Sequence, residues 1–296
     1  MRAPTIKQLQ YFLALTETEH FGRAADRCYV SQSAFSNAIQ ELEAALGTQL
    51  VDRTNRSVTI TAIGQEVATQ ARLVIQDVDS LVEVARGKDE PLSGELRLGV
   101  IPTIAPFMLP GALPRLRKLY PKLELLLIED QTERIYQRLM AGDLDVLLLA
   151  LPWQMRGVDE MPLFDDPFCL ACREGTDRVD PENYKFNRLD SDSILLLEDG
   201  HCLREHALAA CKIRSTEKVR RFGASSLLTL IEMVDADLGI SFLPDMARGS
   251  ALLRNTRVKL WPMGERSYRT IGLVWRKGSR RVEEFRLLGE FFSENR

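Results

Sequence analysis

Five cysteines and three histidines are the residues of this 296-residue chain best suited to covalent or metal chemistry. Two of the cysteines, Cys202 and Cys211, share the stretch LLLEDGHCLREHALAACK over residues 195–212. LLLED reads as a buried strand and its exit, Gly200 as a turn, and CLREHALAAC as a helix rich in helix formers. Cys202 then stands at or near a helix N-terminus, where the dipole and the unpaired N–H groups favour a thiolate. His201 and Arg204 are close in sequence and would add positive charge. A thiolate near the surface at neutral pH is what a peroxide-reactive cysteine needs. Cys211 lies in ALAACKI, an apolar context. In one continuous helix the nine positions between them place the thiols about 13.5 Å apart along the axis, roughly two and a half turns round. A disulfide needs Cα atoms within roughly 7 Å. Two alternatives stay open: two unrelated cysteines, one capping and one buried, or a pair whose bonding is incompatible with the helix and makes the segment a conformational switch.

The other thiols offer less. Cys169 and Cys172 form CLAC within PFCLACR, which reads as a strand. Positions three apart on a strand face opposite sides, whereas a redox pair occupies a helix start. No second pair or histidine cluster completes a zinc site, so neither a metal nor a cofactor is expected. Cys28 falls in a helical core pattern and reads as structural.

A chain of this length suits two compact units. It is 45% hydrophobic and 27% charged, with a formal net charge of −3. That balance gives no overall field for a polyanion, though a local patch can still bind phosphates. The irregular cysteine spacing is not a secreted disulfide framework. No run approaches the roughly 18 apolar residues of a membrane span, and the N-terminus lacks a signal-peptide pattern. The expectation is a cytoplasmic protein without a membrane partner.

The elements that must position these residues fall in two groups. The first 62 residues read as helices. In SQSAFSNAIQELEAALG, Ser31 is an N-cap and Gly47 a stop; Phe35, Ala38, Ile39, Leu42 and Leu46 make one apolar face. VDRTNRSVTI reads as a short hairpin with its turn at Thr54-Asn55. Residues 62–86 form a long helix in which Val67, Ala71, Val74, Val78, Leu81 and Ala85 repeat in a four-then-three spacing, an a/d seam suited to self-association. Residues 87–94, GKDEPLSG, are a hinge by composition. After it, ELRLGVI, LELLLIE and LDVLLLA alternate with helical stretches, the signature of a parallel sheet. PFCLACR, SILLLED, VRRF and GISFLP suggest a second lobe, and YRTIGLVWR a return to the first. The expected division is 1–62, 63–86, 87–94 and 95–296, with lobe I about 95–163 and 267–296 and lobe II about 164–266.

FGRAADRCYVSQSAFSNAIQELE reads as helix, tight turn, helix. The polar face Gln32, Ser33, Ser36 and Asn37 suits base edges in a major groove, and Arg53 and Arg56 on the hairpin would reach phosphates or a minor groove. An ordinary helical bundle with a solvated polar face fits the same pattern. The marks FGRAA, VSQSAFS, I..LE..LG..L and R..R.V..T..G, however, resemble the winged helix-turn-helix of LysR-type transcriptional regulators. Phe35 and Val51 stand where that family more often has Leu and Phe, and both read as core exchanges.

The resemblance implies an N-terminal all-α winged helix-turn-helix with a long linker helix, and a C-terminal α/β two-lobed effector domain of the periplasmic-binding-protein fold. It implies a homodimer through the long helix, commonly within a homotetramer, bound to double-stranded promoter DNA, with RNA polymerase as a partner. LLLEDGHCLR, GVIPTIAPFMLP, KLELLLIEDQT, LFDDPF and RTIGLV.R.GS resemble the hydrogen-peroxide-responsive members of the family. Carried over, Cys202 is the peroxidatic thiol and Cys211 the resolving one. Thr103 is a hydroxyl that positions peroxide, and Thr132, His201 and Arg269 are further candidates for the pocket. A cellular thiol reductant would reset the disulfide. Two rivals remain: a LysR-type regulator binding a small metabolite in the cleft, with incidental cysteines, and a thiol peroxidase, for which a reader helix has no use. The expectation is stoichiometric sensing without enzymatic turnover.

Overall fold

In the computed structural model, residues 3–53, 58–85, 90–210, 218–220, 223–264 and 267–295 are described. The chain divides into two compact units, one over Met1–Asp89 and Met140–Asp143 and the other over Glu90–Leu139 and Leu144–Arg296.

The first unit begins with α1 (Ile6–Thr18), α2 (Phe21–Arg27) and α3 (Gln32–Leu46). Thr5 and Gln8 form a capping box at the start of α1, which satisfies two N–H groups that the helix itself leaves unpaired. Ser31 accepts from the Ala34 N–H at the start of α3, and Gly47 ends that helix with φ 69°. The apolar face read from the sequence closes on the core: Phe35, Ile39 and Leu42 are fully buried beside Phe12, Leu15, Ala24 and Ala25. Phe35 stacks on Tyr11 at 5.2 Å between ring centroids. Strands β1 (Val51–Arg53) and β2 (Val58–Ile60) pair antiparallel. Glu43 of α3 ties this wing to the helices by accepting the N–H groups of Leu50 and Val51. Val51 is fully buried like Phe35, so both family departures are core exchanges. The long helix α4 (Ala62–Ala85) follows.

The second unit is built on the sheet order β4-β3-β5-β9-β6-β7, with β8 paired to β6. Its strands are β3 (Gly94–Val100), β4 (Leu123–Glu129), β5 (Val146–Leu151), β6 (Val158–Arg173), β7 (Ser241–Pro244), β8 (Val258–Pro262) and β9 (Tyr268–Arg276). Helices α5 (Ala105–Leu119) and α6 (Thr132–Met140) link the first three strands, and α9 (Val282–Glu294) follows the last. The β3–β4 and β3–β5 pairs are parallel, as expected from the strand–helix alternation. The sheet as a whole is mixed: β9 returns antiparallel between β5 and β6. Every residue of β5 is buried, whereas β4, at the edge, leaves Leu126 and Leu127 exposed.

β6 makes this unit two-lobed. Its first part, through Pro167, pairs with β9, and from Phe168 onward it pairs with β7 and β8. The second lobe gathers a core of its own around Phe168, Leu195, Leu197, Leu230, Ile231 and Phe242. Among the described residues, SILLLED and VRRF contribute isolated bridges rather than named strands: Ile194 to Val219 and Ile240, and Leu197 to Ala224. Helices α7 (Cys202–Ala210) and α8 (Leu227–Asp235) belong to this part.

Candidate functional site

Cys202 is the first residue of α7. It follows Gly200, whose φ of 95° lets the chain turn from the Leu195–Leu197 run into the helix. A Cβ at that glycine would stand 2.8 Å from Gln131 Oε1, so the turn is drawn tight against the loop before α6. Three distant segments thus close on the thiol. Ile101, Pro102 and Thr103 follow β3, Gln131 and Thr132 open α6, and His201 and Cys202 open α7; together they line one narrow, closely packed crevice.

The thiol is 2% exposed and unbridged. Burial pushes its pKa above the ordinary thiol range; the Thr132 hydroxyl, the Arg269 guanidinium and the helix-start N–H pull it down, and Glu205 adds to the rise. The expectation of a near-surface thiolate is therefore corrected. The helix start was legible, but three converging segments exclude the water that would solvate an anion. His201 does not supply the expected positive charge either. Burial holds its pKa below the ordinary imidazole value, against the pull of Glu198 and Asp130, and its Nδ1 is buried without a partner. Arg204 turns to Asp199 at 3.1 Å and to the Leu197 carbonyl. Arg269 is the cation that acts on the thiol.

Thr103 is 1% exposed. Its Oγ1 accepts from Arg269 Nη1 at 3.0 Å and its carbonyl from Nη2 at 2.9 Å. Thr132 is equally buried. Its hydroxyl stands close enough to Cys202 to favour the anion, yet it meets no partner with hydrogen-bond geometry. The crevice therefore holds one thiol, one hydroxyl pinned by a guanidinium and one hydroxyl with spare bonding capacity. Such a set can bind a small polar molecule with two oxygens and present it to sulfur.

Four residues at or around this site escaped the sequence reading. Gln131 lines the crevice. Asp166 pairs with Arg269, Nε to Oδ2, at 3.0 Å. Met246 donates its N–H to the same carboxylate and places Sδ 3.4 Å from Arg269 Nη2. His206, one turn beyond Cys202, contacts the Pro152 carbonyl through Nε2 at 3.1 Å. The motifs IEDQT and LFDDPF held the first two, but nothing in spacing alone singles out one acid of a pair.

Cys211 and Arg56 lie outside the described residues, as do the side chains of Arg53 and Ala85. On α3, Gln32, Ser33 and Asn37 are exposed and Ser36 is half-buried. These four are not near the crevice in sequence or element and form a separate polar face. Along α4 the seam is uneven. Ala71 is buried and Val67 half-buried in the unit's own core, so those two positions are already covered. Val74 and Leu81 are 42% and 62% exposed, and Val78 is half-buried.

Cys169 and Cys172 are both buried in β6. Burial raises their thiols to about 12 and about 11, with the neighbouring Asp245 and Asp237 adding to it. Such thiols are inert at neutral pH. Cys28 is half-buried at the end of α2 and its thiol is likewise raised by burial. Among the described residues, no group of three or more His, Cys, Asp or Glu is placed to hold a metal ion. No helix there is long and apolar enough to cross a membrane.

Residues 6–65 match the model of bacterial regulatory helix-turn-helix proteins, lysR family, and residues 89–296 match the LysR substrate binding domain. The chain is 40% identical over 283 residues to the HTH-type transcriptional regulator EstR of Acinetobacter baylyi, covering 95% of this chain and 94% of that one. It is 40% identical over 285 residues to a hydrogen peroxide-inducible genes activator of Escherichia coli, covering 96% and 93%. A structure of a full-length OxyR variant from Pseudomonas aeruginosa superposes with a TM-score of 0.82 at 30% identity, covering 99% of this chain and 95% of that one.

Proposed function

We propose, from the premise that this chain belongs to the lysR family of bacterial regulatory helix-turn-helix proteins, that it is a DNA-binding transcription regulator which senses hydrogen peroxide through Cys202 and Cys211. The observation that carries the proposal is the crevice: a buried thiol at a helix start, with Thr103 and Thr132 beside it and Arg269 behind.

The Cys202 thiol gives up its proton, and the thiolate attacks one oxygen of hydrogen peroxide. The O–O bond breaks, the sulfur becomes sulfenic acid, and the departing oxygen leaves as water after taking up a proton. Thr103, or a water it orients, relays that proton, while Thr132 and His201 complete the pocket. The Cys211 thiol then attacks the sulfenic acid, forming the disulfide and releasing a second water. The two cysteines are nine positions apart, so the bond is incompatible with α7 continued as a helix to Cys211. The segment refolds, and the change reaches the DNA-reading units. A cellular dithiol reductant restores both thiols by exchange. One peroxide is consumed per site and the site then waits for the reductant; a sensor resets slowly, where a thiol peroxidase would turn over continuously with the same reductant.

The reading unit spans 1–62, the linker helix 63–86, the hinge 87–94 and the effector domain 95–296. Gln32, Ser33, Ser36 and Asn37 contact bases of double-stranded promoter DNA, and Arg53 and Arg56 contact its backbone. The chain works as a homodimer or homotetramer in the cytoplasm, joined through the exposed part of the α4 seam, and it engages RNA polymerase. The test is thiol titration of the full chain with and without peroxide, mapped by mass. Loss of Cys202 and Cys211 together, and loss of the DNA response in Cys202→Ser, are expected. A Cys202→Ser variant that still responds on DNA overturns the reading.

One observation favours a second reading, a regulator answering a small metabolite in the cleft with incidental cysteines. The chain is as similar to EstR, an HTH-type transcriptional regulator, as to the peroxide-inducible activator. A DNA response to a metabolite that persists without both cysteines would establish it.

A further inference from the structure

Behind the crevice lies an ion pair that the chemistry above does not use in full. Asp166 and Arg269 are register partners across the β6–β9 ladder, their side chains 3% and 0% exposed. Both are fixed at every end. Arg269 spends Nε on Asp166 Oδ2 and its two terminal nitrogens on the hydroxyl and carbonyl of Thr103. Asp166 Oδ1 accepts the Met246 N–H at 3.1 Å.

Holding Thr103 does not require a charge, since a neutral amide donates to a hydroxyl or a carbonyl as well. A buried ion pair also carries a desolvation cost that a neutral pair avoids. What a guanidinium adds is a field that draws the proton from Cys202, and Arg269 is the cation acting on that thiol. A full carboxylate against the guanidinium works the other way. We propose that Asp166 is a positioning residue that sets the sensitivity of the site: it locks Arg269 onto Thr103 and, by balancing its charge, keeps Cys202 a protonated thiol at rest. This rests on the reading of Cys202 as the peroxide-reactive cysteine. The groups facing the thiol are Thr132, Arg269 and Glu205; those facing Asp166 are Arg269, Asp245 and the Met246 N–H. Glu205 raises the thiol pKa in the same direction as the proposal, whereas burial and Asp245 raise the Asp166 pKa and oppose its charge, which Arg269 and the Met246 N–H support.

The experiment is the pH dependence of Cys202 alkylation in the reduced, full-length protein, followed by mass on the peptide that carries it. Asp166→Asn should lower the midpoint by about one unit and, because a more acidic thiol gives a weaker nucleophile, lower the high-pH plateau about threefold. Asp166→Glu should restore the wild-type midpoint. At neutral pH the Asp166→Asn protein should react with peroxide about threefold faster: roughly tenfold more thiolate, offset by the lower nucleophilicity of a more acidic thiol. In an Arg269→Gln background the same Asp166→Asn change should shift nothing, since a buried Asp166 without its cation takes up a proton. If the single Asp166→Asn variant does not fold, Asp166→Ser, neutral and smaller, takes its place with the same expected shift, and an unchanged midpoint there equally overturns the proposal. An unchanged midpoint in Asp166→Asn overturns the proposal. So does an equal shift in the Arg269→Gln background, or a raised plateau that marks a loosened pocket. A lowered midpoint with an unchanged peroxide rate instead overturns the reading of Cys202 as the sensor.

Discussion

Thr103 takes two of the N–H donors of a guanidinium that water does not reach. Removing the hydroxyl therefore does more than remove a contact for a ligand: it leaves Arg269 Nη1 without its acceptor. Thr103→Val should cost about 1–3 kcal/mol, the usual penalty for a buried donor left unpaired, and Thr103→Ser should recover most of it. The denaturant midpoint of the full chain measures both. The residues of the crevice were partly legible from the sequence. A cysteine after Gly-His at a helix start stands out, whereas Thr103 entered only through the family resemblance. The state of that cysteine was not legible, because its sign depends on burial by Ile101, Thr103 and Thr132, far away in the chain. Asp166 was invisible for a related reason: only the β6–β9 register puts it against Arg269.

At the scale of elements, α7 has one histidine just before its start, His201, and another a turn in, His206. His201 and His206 both have pKa values held below the ordinary imidazole value, by burial first. The unfolded chain then binds protons more readily than the folded one between the lowered folded pKa and about 6.5. The contribution of these histidines to stability is complete above about pH 6.5 and declines as pH falls through that window. Thermal unfolding compared at pH 7.5 and 5.5 should show a lower midpoint in acid. His206→Gln should flatten the difference; an unchanged slope would mean that other groups set it. The strands teach a related lesson about legibility. The apolar runs of β3 and β5 announced buried strands, and those pairs are parallel as expected. Strand direction in β9 was not announced, because YRTIGLVWR reads alike in either orientation. β4 is as apolar as its neighbours yet sits at the sheet edge, since position in a sheet follows connectivity and not composition.

For the molecule as a whole, the α4 seam is where one chain would meet another. Its spacing was plain in the sequence. What could not be read was that Val67 and Ala71 pack within their own unit, which leaves Val74, Val78 and Leu81 as the described positions for a partner. Leu81→Glu should abolish self-association by sedimentation without unfolding the reading unit, because that side chain is 62% exposed. Ala71→Glu should instead destabilise the unit itself. If Leu81→Glu sediments as the parent protein does, the seam is not the interface. The polar face of α3 needs no such separation: its residues were predicted from one helix and are set by one helix.

The place of β9 in the sheet has a consequence for how each new molecule comes to be. It lies between β5 and β6, so a strand near the middle of the sheet is made after every other strand beside it. Arg269 follows Cys202 by 67 positions, which at ordinary speeds of synthesis is roughly 3–13 s. Throughout that interval the thiol exists without the strand that completes its surroundings. If Arg269 and Asp166 tune the thiol as proposed, each copy gains that tuning only when β9 joins the sheet. Among newly made chains, the age of the molecule would decide how its cysteine behaves.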